Sequence, residues 1–197
     1  IGPSGTIAPI SSLRRTLPHD ITNALAASAL VLETGLADTD AIERALGSFV
    51  GPPHRLERLG SHNGADWFND SKATTPHAAS AAIRSFKNIV LIAGGADKGV
   101  DLSSMADDAW RCIGVLAIGT TASTITNVFA SVGQVELVGS LERAVERAAT
   151  WARPGDTVLL SPGCASLDQF ANFEERGEVF RALFTQLSEQ QLQGVSA

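Results

Sequence analysis

The sequence predicts an α/β, Rossmann-like fold in which a mostly parallel sheet is flanked by helices, preceded by a separate helical segment. Two observations support this prediction. Short apolar segments alternate with helical ones from residue 75 onward, and a Gly51-Pro52-Pro53 break separates this part from two earlier helical segments. We therefore expect the α/β domain to occupy residues 54–190.

The segment before the break predicts a loop or an edge strand over residues 1–17, which are rich in Gly, Pro, Ser and Thr. A first helix is predicted from Asp20, as its N-cap, to the stop at Gly35. A second helix is predicted over residues 40–49, with Thr39 or Asp40 as its cap. Because two prolines forbid a continuing helix, Gly51-Pro52-Pro53 predicts a linker or a domain boundary.

Beyond the linker, residues 55–61 and 65–68 predict two short strands. His62-Asn63-Gly64 joins them as a hairpin turn, since Asn-Gly tolerates positive φ. Alternating elements then follow to the end of the domain. The further predicted strands are residues 88–93, 113–118, 135–138 and 157–160. The predicted helices are residues 76–86, 123–131, 141–152 and 174–190, with a frayed tail to residue 197.

The composition excludes several classes of protein. The chain is 44% hydrophobic and 18% charged, with a formal net charge of −6, and it has no basic patch, so nucleic acid is not expected as a partner. It shows no signal peptide and no apolar run that could span a bilayer, so we expect a cytoplasmic protein without membrane insertion. Two cysteines, Cys112 and Cys164, do not make a disulfide framework, which fits a reducing compartment.

Ligands of open parallel sheets bind outside the carboxyl ends of the strands, where four segments carry unusual chemistry. The first is NDSKATTP (residues 69–76), in which Asp70, Ser71, Lys72 and Thr74 precede a helix N-terminus that suits an anion. An ordinary capped loop with a solvated lysine is the alternative.

The second segment is GGADKG (residues 94–99), whose glycines allow a sharp turn and a close approach to a ligand. Its spacing differs from the dinucleotide fingerprint and from the phosphate loop. A tight turn with an exposed Lys98 is an equally good interpretation of this segment alone.

The third segment, residues 160–170, combines small residues with hydroxyls that leave space and donors for a ligand. We do not expect Cys164 to be a nucleophile, because no partner histidine lies nearby in the sequence and buried thiols are usually inert. Ser166 lacks the G-x-S-x-G elbow of a serine nucleophile. The fourth segment is His54-Arg55 at the linker, which could face a phosphate, although a solvated hinge arginine is favoured without further context.

Taken together, NDSKATTP, GGADKG and LLSPGCASLDQFANFEERG resemble, in order and spacing, the C-terminal domain of the Mur ligases that add D-glutamate. PHDITNALAA resembles the end of that family's central, ATP-binding domain, and PPHRLE resembles the junction. The resemblance implies that residues 1–52 are a helical remnant of the central domain. It implies that residues 53–197 are the C-terminal, amino-acid-binding domain.

The resemblance also implies roles for individual residues. Asn23, Arg55 and Asp70 would bind ATP, and His54 would belong to the hinge and the rim of the active site. The implied D-glutamate pocket consists of Lys72, Thr74, Lys98, Ser166, Leu167 and Phe173.

Among these residues, Lys72 and Lys98 are the implied catalytic residues. Each ammonium group can match one carboxylate of D-glutamate, while Phe173 can cover the methylene stem. Such ion pairing positions the nucleophilic amine and does no covalent work itself.

The family's reaction begins with transfer of a phosphoryl group from ATP to UDP-N-acetylmuramoyl-L-alanine. The amine of D-glutamate attacks the acyl phosphate, and phosphate leaves. Mg²⁺ would offset the phosphate charge. The resemblance thus implies a monomeric ligase of cytoplasmic peptidoglycan precursor synthesis.

The chain contains no G-x-x-G-K-[ST] segment. The phosphate loop, the family's modified lysine, most Mg²⁺ ligands and the UDP-binding domain would therefore precede residue 1, with no metal site in this chain. We expect the chain alone not to make the acyl phosphate. Asp20 stands where the family usually has Asn, so no nucleotide role is assigned to it.

Two alternatives stay open. The first is a sibling ligase, such as an L-alanine-adding Mur ligase or a folylpolyglutamate synthase. The second is a non-catalytic Rossmann-like binding module, whose lysines would tolerate substitution. A nicotinamide enzyme is disfavoured because the glycine spacing differs from the dinucleotide fingerprint.

Overall fold

The computed structural model describes residues 5–195. The chain forms two compact units that meet in sequence at Gly51 and Pro52, within the predicted linker. Of the predicted loop or edge strand over residues 1–17, the first four residues lie outside the described part, as do residues 196–197 of the tail. The remainder contains one short 3-10 helix, Ile10–Ser12.

The first unit contains two helices, α1 (Pro18–Glu33) and α2 (Thr39–Ser48). The prediction that Asp20 is the N-cap of α1 was wrong. Pro18 occupies the first helical position, where no N–H is needed, and Asp20 reaches back from the third position to accept the Leu17 N–H at 3.2 Å. Asp20 also pairs with Arg15 at 2.7 Å, so its carboxylate organises the start of the helix.

The end of α1 agrees with the prediction. Gly35 has φ +68°, and its N–H donates to the carbonyl of Leu32, while the N–H of Leu36 donates to that of Val31. These two hydrogen bonds satisfy free carbonyls of the last turn of the helix. The predicted caps of α2 were wrong by one or two residues, since Asp38 accepts the Ala41 N–H at 2.8 Å.

The second unit contains one six-stranded sheet with the order β1-β2-β6-β3-β4-β5. Its strands are β1 (Glu57–His62), β2 (Ala65–Asn69), β3 (Ile89–Gly94), β4 (Cys112–Ile118), β5 (Val135–Gly139) and β6 (Thr157–Leu160). Five strands run parallel, and β1 pairs antiparallel with β2. The predicted α/β fold with a mostly parallel sheet is therefore confirmed.

Four helices accompany the sheet, and their positions agree with the prediction to within a few residues. They are α3 (Pro76–Arg84), α4 (Ala122–Val128), α5 (Leu141–Trp151) and α6 (Phe173–Val195). The predicted hairpin turn is also present: Asn63 and Gly64 have φ of 52° and 79°, as a two-residue turn with two positive φ angles requires. No described helix combines the length and the apolar character needed to cross a bilayer.

The helices cover both faces of the sheet. Helices α5 and α6 pack on one face, and α4 packs on the other, where α3 and α4 both contact the 3-10 helix Ser103–Ala106. That 3-10 helix and a second one, Ala109–Arg111, occupy a segment in which no element was predicted.

The core between the sheet and α6 is aromatic. Trp67 on β2 is fully buried, and its ring lies 5.9 Å from that of Phe180 and 5.6 Å from that of Phe184, both on α6. These contacts hold α6 against the β1–β2 side of the sheet, with its first turn beside the residues that follow β2.

The edge of the sheet at the amino ends of the parallel strands has a depression of about 410 Å³. Its lining combines residues that precede β5 and β6 with residues around the starts of β3 and β4 and at the end of α5. They are Asn88, Val90, Ile113, Gly114, Gln134, Trp151, Arg153 and Asp156.

Candidate functional site

Three loops that follow strands meet at the carboxyl edge of the sheet. We name them the Lys72 loop (residues 70–75, after β2), the Lys98 loop (residues 95–99, after β3) and the Ser166 loop (residues 161–170, after β6). The Ser166 loop bonds to both others. The Gly163 N–H donates to the Ala73 carbonyl, and the Ala96 N–H donates to the Ala165 carbonyl, each at 2.8 Å. The loops converge because β6 lies between β2 and β3 in the sheet.

Glycine is required where the Lys98 loop approaches the Ser166 loop. Gly95 has φ +149°, and a Cβ at this position would overlap the carbonyl oxygen of Ala165. The hydroxyl of Thr121, after β4, accepts the Gly95 N–H at 3.0 Å and fixes the turn from the other side. The close approach predicted from the glycine pair is thus an approach to a neighbouring loop of the protein.

The side chains of Lys72 and Lys98 are both exposed on this edge. Lys72 Nζ lies 5.7 Å from the ring centroid of Phe173, at cation–π distance, and Phe173 is partly buried at the start of α6. The turn that presents Lys98 is held by Asp97, whose Oδ1 accepts the Gly99 N–H at 2.7 Å. Both ammonium groups therefore extend from anchored backbone.

The other residues of the predicted amino-acid pocket differ in exposure. Ser166 is buried, and its carbonyl accepts the N–H groups of Gln169 at 3.1 Å and Phe170 at 2.9 Å, which closes a turn. Leu167, at the tip of this turn, is 69% exposed. Thr74 is partly buried, and its N–H donates to the Lys72 carbonyl. Their ligand contacts stay predictions.

His54 joins the segment after the linker to the Lys72 loop. Its carbonyl accepts the Lys72 N–H at 3.0 Å, and its own N–H donates to Glu57 Oε2. Its imidazole is buried, with Nδ1 3.0 Å from Asn69 Nδ2 and Nε2 3.3 Å from a carboxylate oxygen of Glu178. Its ring also meets that of Phe173 edge-on at 6.4 Å. His54 thus links the junction with the predicted pocket.

The residues predicted to bind ATP come from both units of the chain. Asp70 is buried, and its two carboxylate oxygens accept hydrogen bonds from the Leu56 N–H at 3.2 Å and the Ser161 hydroxyl at 2.8 Å. Arg55 is exposed beside this loop, and Asn23 is exposed on α1 in the first unit. The contacts of Asn23, Arg55 and Asp70 with ATP stay predictions.

Mg²⁺ is usually held by one or two carboxylates together with water and substrate phosphates. Both carboxylate oxygens of Asp70 already accept hydrogen bonds inside the protein. Within residues 5–195, no group of three or more His, Cys, Asp or Glu side chains could hold a metal ion.

Cys164 has the properties of an inert thiol. It is buried, burial raises its pKa, and its sulfur lies 3.5 Å from the hydroxyl of Thr121. Burial also raises the pKa of Cys112 to about 12. Both side chains are therefore protonated at neutral pH, which agrees with the expectation that Cys164 is not a nucleophile.

The sequence analysis overlooked Arg176 on α6, the most highly connected polar side chain of this edge. Its side chain is nearly completely buried, and its guanidinium donates to Ser71 and to the carbonyls of Cys164 and Ala165. Burial lowers its pKa to about 10, so it stays charged at neutral pH. A signal was available: Arg176 precedes the buried Phe180 and Phe184 at intervals of four, so it lies on the apolar face of the helix.

Comparisons with known proteins show the family to which the sequence is similar. A family model described as "Mur ligase, glutamate ligase domain" matches residues 54–164. A UDP-N-acetylmuramoylalanine--D-glutamate ligase of Aquifex aeolicus is 42% identical over 84% of this chain and 40% of the relative. The corresponding ligase of Myxococcus xanthus is 44% identical over 84% of this chain and 36% of the relative. The chain thus spans about 40% of the length of these curated relatives.

Solved structures of low sequence identity share the fold. A pseudomurein peptide ligase type C from Methanothermus fervidus superposes with a TM-score of 0.61 at 18% identity, covering 89% of this chain and 37% of the other. E. coli FolC, solved with DHPP and ADP, gives a TM-score of 0.59 at 20% identity, covering 83% and 39%.

Proposed function

The chain belongs to the Mur ligase family, in its glutamate ligase domain, and we propose that it supplies the D-glutamate site of a UDP-N-acetylmuramoyl-L-alanine--D-glutamate ligase. The convergence of the Lys72, Lys98 and Ser166 loops at one edge is the observation that carries the proposal. A site that must hold an amino acid with two carboxylates needs two cationic groups on separate supports, and this edge provides them.

The distribution of lysines supports the same site. The chain has three lysines, Lys72, Lys87 and Lys98. Two stand in the loops of the carboxyl edge, while Lys87 precedes β3 at the opposite edge. In the proposed complex Lys72 and Lys98 each pair with one carboxylate of D-glutamate, and the ring of Phe173 covers the methylene groups.

The proposed contribution to the reaction is orientation. D-Glutamate attacks an acyl phosphate through its neutral amine, and two fixed carboxylates leave this amine with few orientations. The acyl phosphate is formed from ATP and UDP-N-acetylmuramoyl-L-alanine, and we place the reaction in the cytoplasm, which holds the ATP. We assign no metal-dependent step to the residues of this chain.

The chain matches about 40% of its relatives' length, so we propose that activation by ATP depends on the remainder of such a ligase. Residues 1–52 would belong to the central ATP-binding domain and residues 53–197 to the C-terminal domain. The division of the chain between Gly51 and Pro52 supports this assignment.

An NMR titration of the isotope-labelled chain with D-glutamate tests the proposal. We expect selective shifts of amides in the three loops and weaker binding of L-glutamate. Replacing Lys72 or Lys98 by alanine should raise the dissociation constant about fivefold, or about 1 kcal/mol, the upper end for exposed ion pairs. Lys87→Ala is the matched control and should bind as the native chain does.

The outcomes also separate the alternatives. Tighter binding of L-alanine or another amino acid than of D-glutamate would favour a sibling ligase. Equal affinities for D-glutamate in the native chain and in both lysine variants would favour a binding module that does not use these lysines, and would contradict the proposed site.

A further inference from the structure

We propose that Arg176 is a positioning residue for the amino-acid substrate, holding the loops of Lys72 and Ser166 at the separation that the ligand requires. This inference rests on the proposed D-glutamate site. It adds to that site a buried residue that contacts the loops and not the ligand. Arg176 is 1% exposed, so it acts through the loops it holds.

The guanidinium of Arg176 bridges two loops that follow different strands. Toward the Lys72 loop, Nε donates to the Ser71 hydroxyl and Nη2 to the Ser71 carbonyl, both at 2.9 Å. Toward the Ser166 loop, Nη1 and Nη2 donate to the Cys164 carbonyl, each at 3.2 Å, and Nη1 also reaches the Ala165 carbonyl at 3.3 Å. One rigid, planar group therefore sets the separation of both backbones.

Two of the three bonded residues stand one position before predicted ligand contacts. Ser71 directly precedes Lys72, and Ala165 directly precedes Ser166. A shift of either carbonyl would move the next Cα, and with it the ammonium or hydroxyl that faces the ligand. Errors of about 1 Å in such positions cost on the order of 100-fold in catalysis.

The third loop lies against the same group. A Cβ added at Gly95 would come within 3.2 Å of Arg176 Nη1, and the Ala96 N–H shares the Ala165 carbonyl with Arg176. The Lys98 loop thus packs against the same guanidinium.

The chemistry of the partners argues against a role in stability alone. The acceptors of Arg176 are one hydroxyl and three carbonyls, all uncharged, so its burial is not offset by a carboxylate in these bonds. Burying a cation without a bonded counter-ion is costly. Retaining the charge here adds positive potential beneath a site proposed for a dianion.

Lysine cannot reproduce the geometry of this fork. It carries the same charge on a single nitrogen with three donors, so it can contact one loop but cannot span both in a fixed plane. Arg176→Lys therefore separates positioning from charge, and Arg176→Met removes both.

The test measures D- and L-glutamate dissociation constants of the native chain, Arg176→Lys and Arg176→Met by NMR titration, using folded protein at matched concentration. We expect D-glutamate to bind on the order of 10-fold more weakly in both variants, with a reduced preference over L-glutamate. Loss of stability alone would leave the ratio of the two enantiomers unchanged. Arg147→Gln, an exposed arginine on α5 that pairs with Glu136, is the control and should bind normally.

If the Arg176 variants do not fold, Ser71→Ala decides. It removes the acceptor of Nε, together with the hydrogen bond from the Ser71 hydroxyl to the Phe173 carbonyl, and leaves the other four bonds of Arg176 in place. We expect it to weaken D-glutamate binding on the order of threefold to tenfold, as loss of these two bonds predicts. Native affinity and enantiomer preference in folded Arg176→Lys, or in Ser71→Ala, would overturn the inference while leaving the proposed site intact. A native chain that fails to bind D-glutamate would overturn both.

Discussion

His62 lies buried at the end of β1, where its ring meets that of Trp67 edge-on at 6.4 Å. Its Nε2 lies 3.1 Å from Asn63 Nδ2, whereas its Nδ1 is buried without a hydrogen-bond partner among the described residues. Burial lowers the pKa of His62, because the charged ring would lose its hydration.

The stability of the second unit should therefore fall as the pH drops from 7.5 to 5.5. The unfolded chain takes up a proton near the ordinary histidine pKa of about 6.5, and the folded chain does so only at lower pH. The stabilisation present above pH 6.5 is thus lost as the pH falls through this range. The measurement is the midpoint urea concentration of unfolding at each pH, monitored by tryptophan fluorescence. His62→Phe should reduce the fall of this midpoint with pH. His77→Gln, at an exposed site, should leave the fall unchanged. Identical falls in the native chain and His62→Phe would contradict this assignment.

Single residues differ in how well the sequence reveals their role. Lys72, Lys98 and Ser166 could be predicted to share an edge, because each follows an apolar strand of one parallel sheet. Arg176 could not be found in this way, since it lies inside a helix and its partners are three backbone carbonyls and the Ser71 hydroxyl in two other loops. Its position on an apolar helical face was the only local signal.

Helix α6 contains Gly177 where the imidazole of His54 lies against the helix. A Cβ at this position would stand 2.7 Å from His54 Cγ and 2.8 Å from its Cε1, closer than side chains pack. Helix propensity alone would favour alanine here, so propensity and packing oppose each other.

We predict that packing outweighs propensity, so that Gly177→Ala lowers the free energy of unfolding by about 1–3 kcal/mol, the usual cost of overpacking. Urea denaturation followed by tryptophan fluorescence measures this. The control is Gly47→Ala in α2, where the nearest atom is the Ser12 carbonyl oxygen at 3.7 Å. It should be neutral or stabilise by up to about 1 kcal/mol. A Gly177→Ala variant as stable as the native chain would show that His54 moves aside.

At the scale of elements, the strands were predictable because short apolar segments with turns at both ends rarely form anything other than a strand. Helix starts were less predictable. The chain offers Asp20, Thr39 and Asp40 as capping side chains, yet Pro18 and Asp38 place the two starts earlier. The 3-10 helices between β3 and β4 are three or four residues long, too short to show a periodicity.

The whole molecule depends on a strand order that no local pattern specifies. The last strand, β6, enters the sheet between β2 and β3, and this insertion brings the Ser166 loop between the two lysine loops. Local sequence predicts the strands and the polar loops. Which strands lie next to one another in the sheet depends on long-range packing, such as that of Trp67 against α6. The shared amino-acid pocket was predicted from the resemblance to the Mur ligases, because the periodicity of the sequence does not indicate it.

Catalysis by the isolated chain is a separate question at this scale. We predict no phosphate release from ATP that depends on UDP-N-acetylmuramoyl-L-alanine and D-glutamate, because the chain has no phosphate-loop motif. A coupled phosphate assay measures this. Release that requires both substrates would show that the acyl phosphate can form without the remaining length of the relatives.

A crystal structure of the chain with D-glutamate tests the proposed site most directly. We predict that the ligand lies at the carboxyl edge, with one carboxylate beside Lys72, the other beside Lys98, and its methylene groups against Phe173. D-Glutamate bound in the amino-edge depression near Asn88 and Arg153, with nothing ordered at the carboxyl edge, would contradict the proposal.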